Sequence, residues 1–311
     1  MQSIKKCGIT LIAMLLFATS MVQASERDVT ETGVACSSVA AATPFGSTTL
    51  DGAVQRVACQ VARRRLLIIG EIHGTQETPA FVAALVRATS KNRPVRVGLE
   101  WPAWMNDYVV TYFASQGTMD DRKKMLRMGY WKTPDGRSSE AMVDLVDTIR
   151  HLRQQGRHID IFLMEPNLPT TPADLQSNFL TRKENGMAKA LKAALNTAPS
   201  NALVIAYMGN YHTRYVEDTN YPQPSVLQQV IDDHPLYIST QADAGGAWVC
   251  QERCGPYIFK APPKSPSRDI QIDPLTDAPK GITAESVDFP VFTPSAPSPR
   301  FKDPDAKAGS Q

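Results

Sequence analysis

The sequence predicts an α/β fold with a central, mostly parallel sheet flanked by helices, and three observations predict it. Unbroken apolar runs of strand length recur along the chain, as in Leu66-Leu67-Ile68-Ile69. Segments with helical spacing separate these runs. A strand without inside/outside alternation is covered on both faces, and a helix between successive strands is the connection that a parallel pair requires. The runs also end in Gly, Glu or His, which suits chemistry at the carboxyl edge of a sheet.

In chain order, Lys5 and Lys6 precede an apolar stretch from about residue 9 to 22, and Gln23-Ala24-Ser25 follows as a small-residue cleavage site. This is the layout of a cleavable export signal over 1–24, too short and too early for a membrane anchor. The expected location is therefore periplasmic or secreted. Without Lys5 and Lys6 the basic count falls from 33 to 31, against 31 acidic residues. A nearly neutral chain argues against a nucleic-acid or anionic-membrane partner. Export makes Cys36, Cys59, Cys250 and Cys254 disulfide candidates rather than metal ligands. Three pairings are open, and neighbours pair most simply as Cys36 with Cys59 and Cys250 with Cys254.

Residues 25–47 read as an N-terminal extension and 48–260 as one domain. The stretch "LDGAVQRVACQVARRR" has helical spacing, "LLIIGE" is a buried strand, "PAFVAALVRATS" a helix and "VRVGLEWP" a second strand. Met142, Leu145, Val146, Ile149 and Leu152 form one apolar helical stripe ended by Gly156. The strand "IDIFLMEP", a helix through "RKENGMAKALKAALN", the strand "ALVIAYMG", a helix near "PSVLQQVIDD" and the strand "PLYIST" complete the alternation. Residues 261–311 hold ten of the 23 prolines and show no periodicity, which predicts a disordered Pro-rich tail.

A short pattern occurs twice. Gly70-Glu71-Ile72-His73 and Gly209-Asn210-Tyr211-His212 each follow a buried strand, so both histidines belong at the strand ends where ligands bind. Thr78-Pro79 reads as the N-cap and first residue of the next helix. Glu71, Glu100 and Glu165 lie at three strand ends, and buried acids there require cations or hydrogen-bond partners. A histidine pair with carboxylates suits either activation of water by a general base or ligation of a divalent metal. Asp135-Gly136-Arg137 precedes a helix, either as a plain turn or with Arg137 binding an anionic group. Trp101 and Trp104 either wall a pocket or pack a helix onto the sheet. His151, His158 and His234 look structural or solvent-exposed. No Gly-x-Ser-x-Gly elbow, Walker loop or dinucleotide glycine pattern is present.

The motif "GEIHGTQETP", the paired Gly-x-x-His motifs and "TRKENGMAKAL" resemble the superfamily of erythromycin esterases, ChaN-like haem-binding proteins and Tiki/TraB proteins, over about residues 66–215. The resemblance implies an exported hydrolase of an ester or peptide bond, acting on a small-molecule or peptide substrate. It would use His73 and His212 with Glu71 and Glu100, and its Arg-x-x-x-x-Met segment carries Arg182 over as a site residue that would stabilise an oxyanion. Two versions stay open. In one, His73 takes a proton from water; in the other, His73, His212 and Glu71 hold a divalent ion, manganese or similar, that makes the hydroxide. A different expectation is a non-catalytic haem carrier, with Tyr207, Tyr211 or His212 as axial ligand.

Overall fold

The computed structural model describes Cys36 and residues 46–132, 135–167, 179–215, 222–250, 253–264, 267, 269–279 and 281–297. The expected export signal therefore lies outside the described residues. So does most of the N-terminal extension.

Eight strands form one sheet: β1 (Gly46–Thr48), β2 (Leu66–Glu71), β3 (Val95–Pro102), β4 (Ile159–Glu165), β5 (Leu203–Gly209), β6 (Leu236–Ala242), β9 (Ile270–Pro274) and β10 (Thr283–Phe289), in the order β1-β9-β10-β6-β2-β5-β3-β4. From β10 to β4 every neighbour is parallel, whereas β9 and β1 add antiparallel edges. The remaining pair, β7 (Gly245–Cys250) and β8 (Cys254–Lys260), is a separate antiparallel hairpin. No helix among the described residues is long and apolar enough to cross a membrane.

The sheet is buried on both faces because its apolar residues split by parity. Leu67, Ile69, Val97, Leu99, Ile205 and Tyr207 pack against α1 (Leu50–Val61), α2 (Glu77–Thr89), α3 (Asn106–Ala114) and α5 (Glu140–Gln154); α4 (Met119–Leu126) joins this side. Leu66, Ile68, Val204, Ala206 and Met208 meet α6 (Phe179–Thr197) and the short α7 (Val226–Gln229). The predicted helix stripe ends as expected, with Gly156 at φ +88° where an L side chain would be strained.

Four expectations need correcting. Helix α2 begins at Glu77 with no side-chain cap from Gln76; Thr78 is buried in its first turn and shares a hydrogen bond of 3.2 Å with Thr240. The helix near "PSVLQQVIDD" is a four-residue helix followed by a 3-10 turn at Ile231–Asp233. Residues 46 and 47 are not extension: with Thr48 they form an edge strand on β9. Finally, 261–297 is not a disordered tail: β10 inserts between β9 and β6, burying Ala284, Val287 and Phe289. Burial on both faces removes the alternation that would mark it as a strand, and Glu285, buried within it, is neutralised by Arg56 at 3.0 Å. The cysteines pair as Cys36–Cys59 and Cys250–Cys254.

A candidate active site at the strand ends

Strands β2 and β5 are neighbours, and their register sets Glu71 opposite Gly209. The two Gly-x-x-His motifs therefore leave the sheet side by side. Neither Gly70 nor Gly209 has positive φ; both are required for space. A Cβ on Gly209 would lie 2.7 Å from His73 Nε2, and one on Gly70 would lie 2.6 Å from Thr213 Oγ1. Gly74, at φ +81°, turns the chain after His73, and its carbonyl accepts from Trp248 N (2.9 Å) and Ser295 N (2.7 Å). The hairpin and the C-terminal segment thus hold the histidine loop from behind.

His73 Nδ1 lies 2.7 Å from Glu71 Oε1, and the Tyr207 hydroxyl donates to the other Glu71 oxygen. On the far side of the ring, Nε2 is 3.3 Å from Glu100 Oε2. The His73 side chain is 27% exposed, against 3% for Glu71 and 4% for Glu100. Its imidazole is thus the part of this row that solvent reaches.

Glu100 is the hub. Its Oε2 accepts from Gly209 N at 2.8 Å, while its Oε1 meets Lys183 Nζ at 2.8 Å, His212 Nε2 at 3.1 Å and an Arg137 guanidinium nitrogen at 3.3 Å. Arg137 and Lys183 also bind Glu165, at 2.6 and 3.0 Å, and Arg137 binds Asp135 at 2.9 Å. His212 turns Nδ1 to Glu184 at 3.0 Å, which in turn holds Arg214 at 3.1 Å. Five carboxylates thus face three permanent cations and two imidazoles, a set that balances when both rings are protonated.

The electrostatics follow. Burial disfavours charge on His73, but the carboxylates of Glu100 and Glu71 outweigh it and raise its pKa from 6.5 to about 10. For His212, burial is again outweighed, by Glu100 and by the hydrogen bond to Glu184, so its pKa is also raised. Burial works against the charge of Glu100 too, yet His73 and His212 hold its carboxyl well below the usual range.

Of the residues singled out from the sequence, Glu71, His73, Glu100, His212 and Tyr207 converge here, with Glu165 and Arg137 joined to them through Glu100 or its cations. Asp135 serves as both turn and site: it caps Arg137 N and Ser138 N while binding the Arg137 side chain. Arg182 is half-buried on α6, and the cation of that helix bound to Glu100 is its neighbour Lys183. The cue was helical periodicity. Lys183, Met187 and Leu191 share the buried face, as do Glu184, Ala188 and Leu195, so two charges lie on an apolar stripe to which Arg182 does not belong.

The donor set does not fit a divalent ion held by His73, His212 and Glu71. The carboxylate joining the two histidines is Glu100, whose charge Lys183 and Arg137 already take, and all four ring nitrogens lie against carboxylates. Among the described residues no group of three or more His, Cys, Asp or Glu is arranged to hold a metal. A haem axial ligand fits no better. Tyr207 is buried on Glu71, His212 is buried between two glutamates, and Tyr211 stacks on Arg214 while its hydroxyl accepts from Gln223 at 2.9 Å. A separate cleft of about 770 Å3, lined by residues of α1, α2 and α5, contains none of the site residues.

No protein-family model matches the chain, and no curated protein does. Solved structures do. A Bacillus cereus protein is 12% identical at TM-score 0.57, over 80% of this chain and 94% of that one. The erythromycin esterase EreC, in its open conformation, is 10% identical at TM-score 0.56, over 82% and 99%. A succinoglycan biosynthesis protein is 9% identical at TM-score 0.54, over 77% and 91%. Two bacterial protein toxins are matched over 65% and 66% of this chain but only 38% of their own length. At these identities the likeness is one of fold: the chain folds as erythromycin esterase does, as the sequence resemblance implied.

Proposed function

We propose that this protein is an exported hydrolase that uses water to cleave an ester or amide bond, with His73 as the group that moves the proton. The observation that carries the reading is the placing of His73. A partly exposed imidazole is fixed by Glu71 at Nδ1, faces Glu100 at Nε2 and sits at the crevice outside parallel strand ends.

Neutral His73 accepts a proton at Nε2 from a water whose oxygen attacks the substrate carbonyl, forming the new C–O bond. Glu71, braced by Tyr207, keeps the ring oriented and stabilises the imidazolium. Negative charge on the former carbonyl oxygen is offset by Arg137, the most exposed permanent cation of the cluster. Collapse of the tetrahedral species breaks the bond to the leaving group, which takes the proton from His73. The free protein holds His73 as imidazolium near neutral pH, so the rate follows the minor neutral form.

The fold shared with an erythromycin esterase supports a hydrolytic reading, and the signal-like residues 1–24 with two disulfides support export. Protein recovered from the periplasm should begin at Ser25 and hydrolyse members of a panel of esters, amides and peptides with or without chelator. Turnover should be lost in His73→Ala. Absence of any turnover from the folded wild type, or full turnover by His73→Ala, would refute the reading.

A further inference from the structure

Next to the charged hub lies an aromatic wall that the reaction above does not use. Trp101, directly after Glu100, is fully buried, and its Nε1 donates to the Arg137 carbonyl at 2.9 Å. Against it pack Tyr130 and Trp131 from the 3-10 turn Gly129–Lys132, at ring-centroid distances of 6.2 and 5.3 Å. Trp104 covers the outer side, 6.3 Å from Tyr130 and 48% exposed. Tyr108, one helical turn further on and 51% exposed, continues the surface.

The polar atoms of this wall are unequal. Trp131 Nε1 donates to Met125 O at 2.8 Å, and Trp101 has Arg137, but the buried Tyr130 hydroxyl has no hydrogen-bond partner among the described residues. Buried hydroxyls rarely go unpartnered, and one beside a charged cluster calls for a ligand acceptor. Burial first, then Asp135, with Glu165 and Glu100 adding and Arg137 opposing, keeps this phenol protonated well above the ordinary tyrosine range, so it stays a donor.

We infer that Tyr130 and Trp104 form the substrate-binding wall of the site: Tyr130 donates a hydrogen bond to the carbonyl oxygen of the bound ester or amide, and Trp104 stacks on a planar or ring-shaped part of a neutral substrate. The inference rests on the hydrolytic reading of His73 and names the substrate class for it. Neutrality follows from the charge balance of the cluster, in which five carboxylates match three permanent cations and two protonated imidazoles and leave no net positive charge to draw an anionic substrate. Tyr130 acts on the oxygen where charge develops, so its effect belongs in kcat; Trp104 acts on a remote ring, so its effect belongs in KM.

The test uses phenyl acetate, with ethyl acetate as the ring-free control, on wild type, Tyr130→Phe and Trp104→Ala. Tyr130→Phe should melt at or above the wild-type temperature, because it deletes an unpartnered buried hydroxyl, while kcat for both esters falls at least ~10-fold. Trp104→Ala should raise KM for phenyl acetate by ~10-fold or more and leave ethyl acetate nearly unchanged. Wild-type turnover in Tyr130→Phe, or a melting temperature lowered by several degrees, overturns the role of the hydroxyl. Equal effects on both esters in Trp104→Ala overturn that of the ring. If wild type hydrolyses neither ester, tryptophan fluorescence titrated with phenyl acetate still decides. Saturable quenching, weakened ~10-fold in Trp104→Ala, supports the wall and shows that the hydrolytic reading alone has failed. No saturable quenching overturns the wall.

Discussion

His73 and His212 are joined through a single carboxylate: Nε2 of one ring lies 3.3 Å from Glu100 Oε2 and Nε2 of the other lies 3.1 Å from Glu100 Oε1. The two strand-end motifs are therefore one electrostatic unit.

Activity should rise with pH. If the neutral form of His73 is the base, kcat/KM, which reports the free enzyme, climbs with pH from neutrality and levels near the His73 pKa of about 10. Glu71→Gln removes one of the carboxylates that raise this pKa, so the limb should move to lower pH while the plateau drops. A flat profile between pH 6.5 and 10, or an unmoved limb in the variant, would count against His73 as the base.

Stability should fall over the same window. The folded-state pKa of His73 is raised above its unfolded value of 6.5, so its contribution is complete below 6.5 and is lost as pH rises through about 10. Melting temperature measured across this range should decline in wild type and decline less in His73→Ala. Parallel curves would show that the ion pairs to Glu71 and Glu100 add nothing to folding.

Glu100→Gln should be costly to the fold as well as to activity. Glu100 neutralises buried Lys183 while it faces His73, so its roles in the site and in the fold are not separable. Leaving Lys183 with only Glu165, and Arg137 with Glu165 and Asp135, should destabilise by about 3–5 kcal/mol, read from denaturant unfolding. Glu71→Gln, whose partners are His73 and Tyr207, should lose less. Wild-type stability in Glu100→Gln would mean the cluster is solvated in solution.

Gly209→Ala should damage the site by volume alone. Its Cβ would fall 2.7 Å from His73 Nε2 and 3.4 Å from Glu100 Oε2, so the ring must leave its position. Turnover should fall at least ~10-fold because a misplaced catalytic group is ineffective. Unchanged kinetics would show that Nε2 is not where the chemistry occurs.

A chain cut after Lys260 should fail to melt cooperatively. It loses β9 and β10, exposes the edge of β6 and strips Phe81 of its contact with Phe289 at 6.2 Å. A cooperative transition in the truncated protein would restore the reading of 261–311 as a dispensable tail.

Much of the architecture could be read along the chain because parallel strands and their covering helices leave local periodicities, as in Leu66–Glu71 and in the stripe from Met142 to Leu152. Strand β10 escaped because its pattern mixes Glu285 and Ser286 with Val287 and Phe289. The tolerance for Glu285 comes from Arg56 and Gln60 on α1, more than two hundred residues away in sequence. Lys183 and Glu184 were legible only as charges on an apolar helical face, a signal that names a buried pair without naming its partner.

The sequence by itself determined that two glycine-histidine motifs and three glutamates stand at strand ends, because that depends on the position of each residue within its own element. Only the tertiary structure decided which charges meet. The β2–β5 pairing makes the motifs adjacent, β3 brings Glu100 between the rings, and α6 supplies Lys183 rather than Arg182. Protonation state follows from those meetings. Distance and burial set the strength of each ion pair, and neither is a property of a residue's place along the chain.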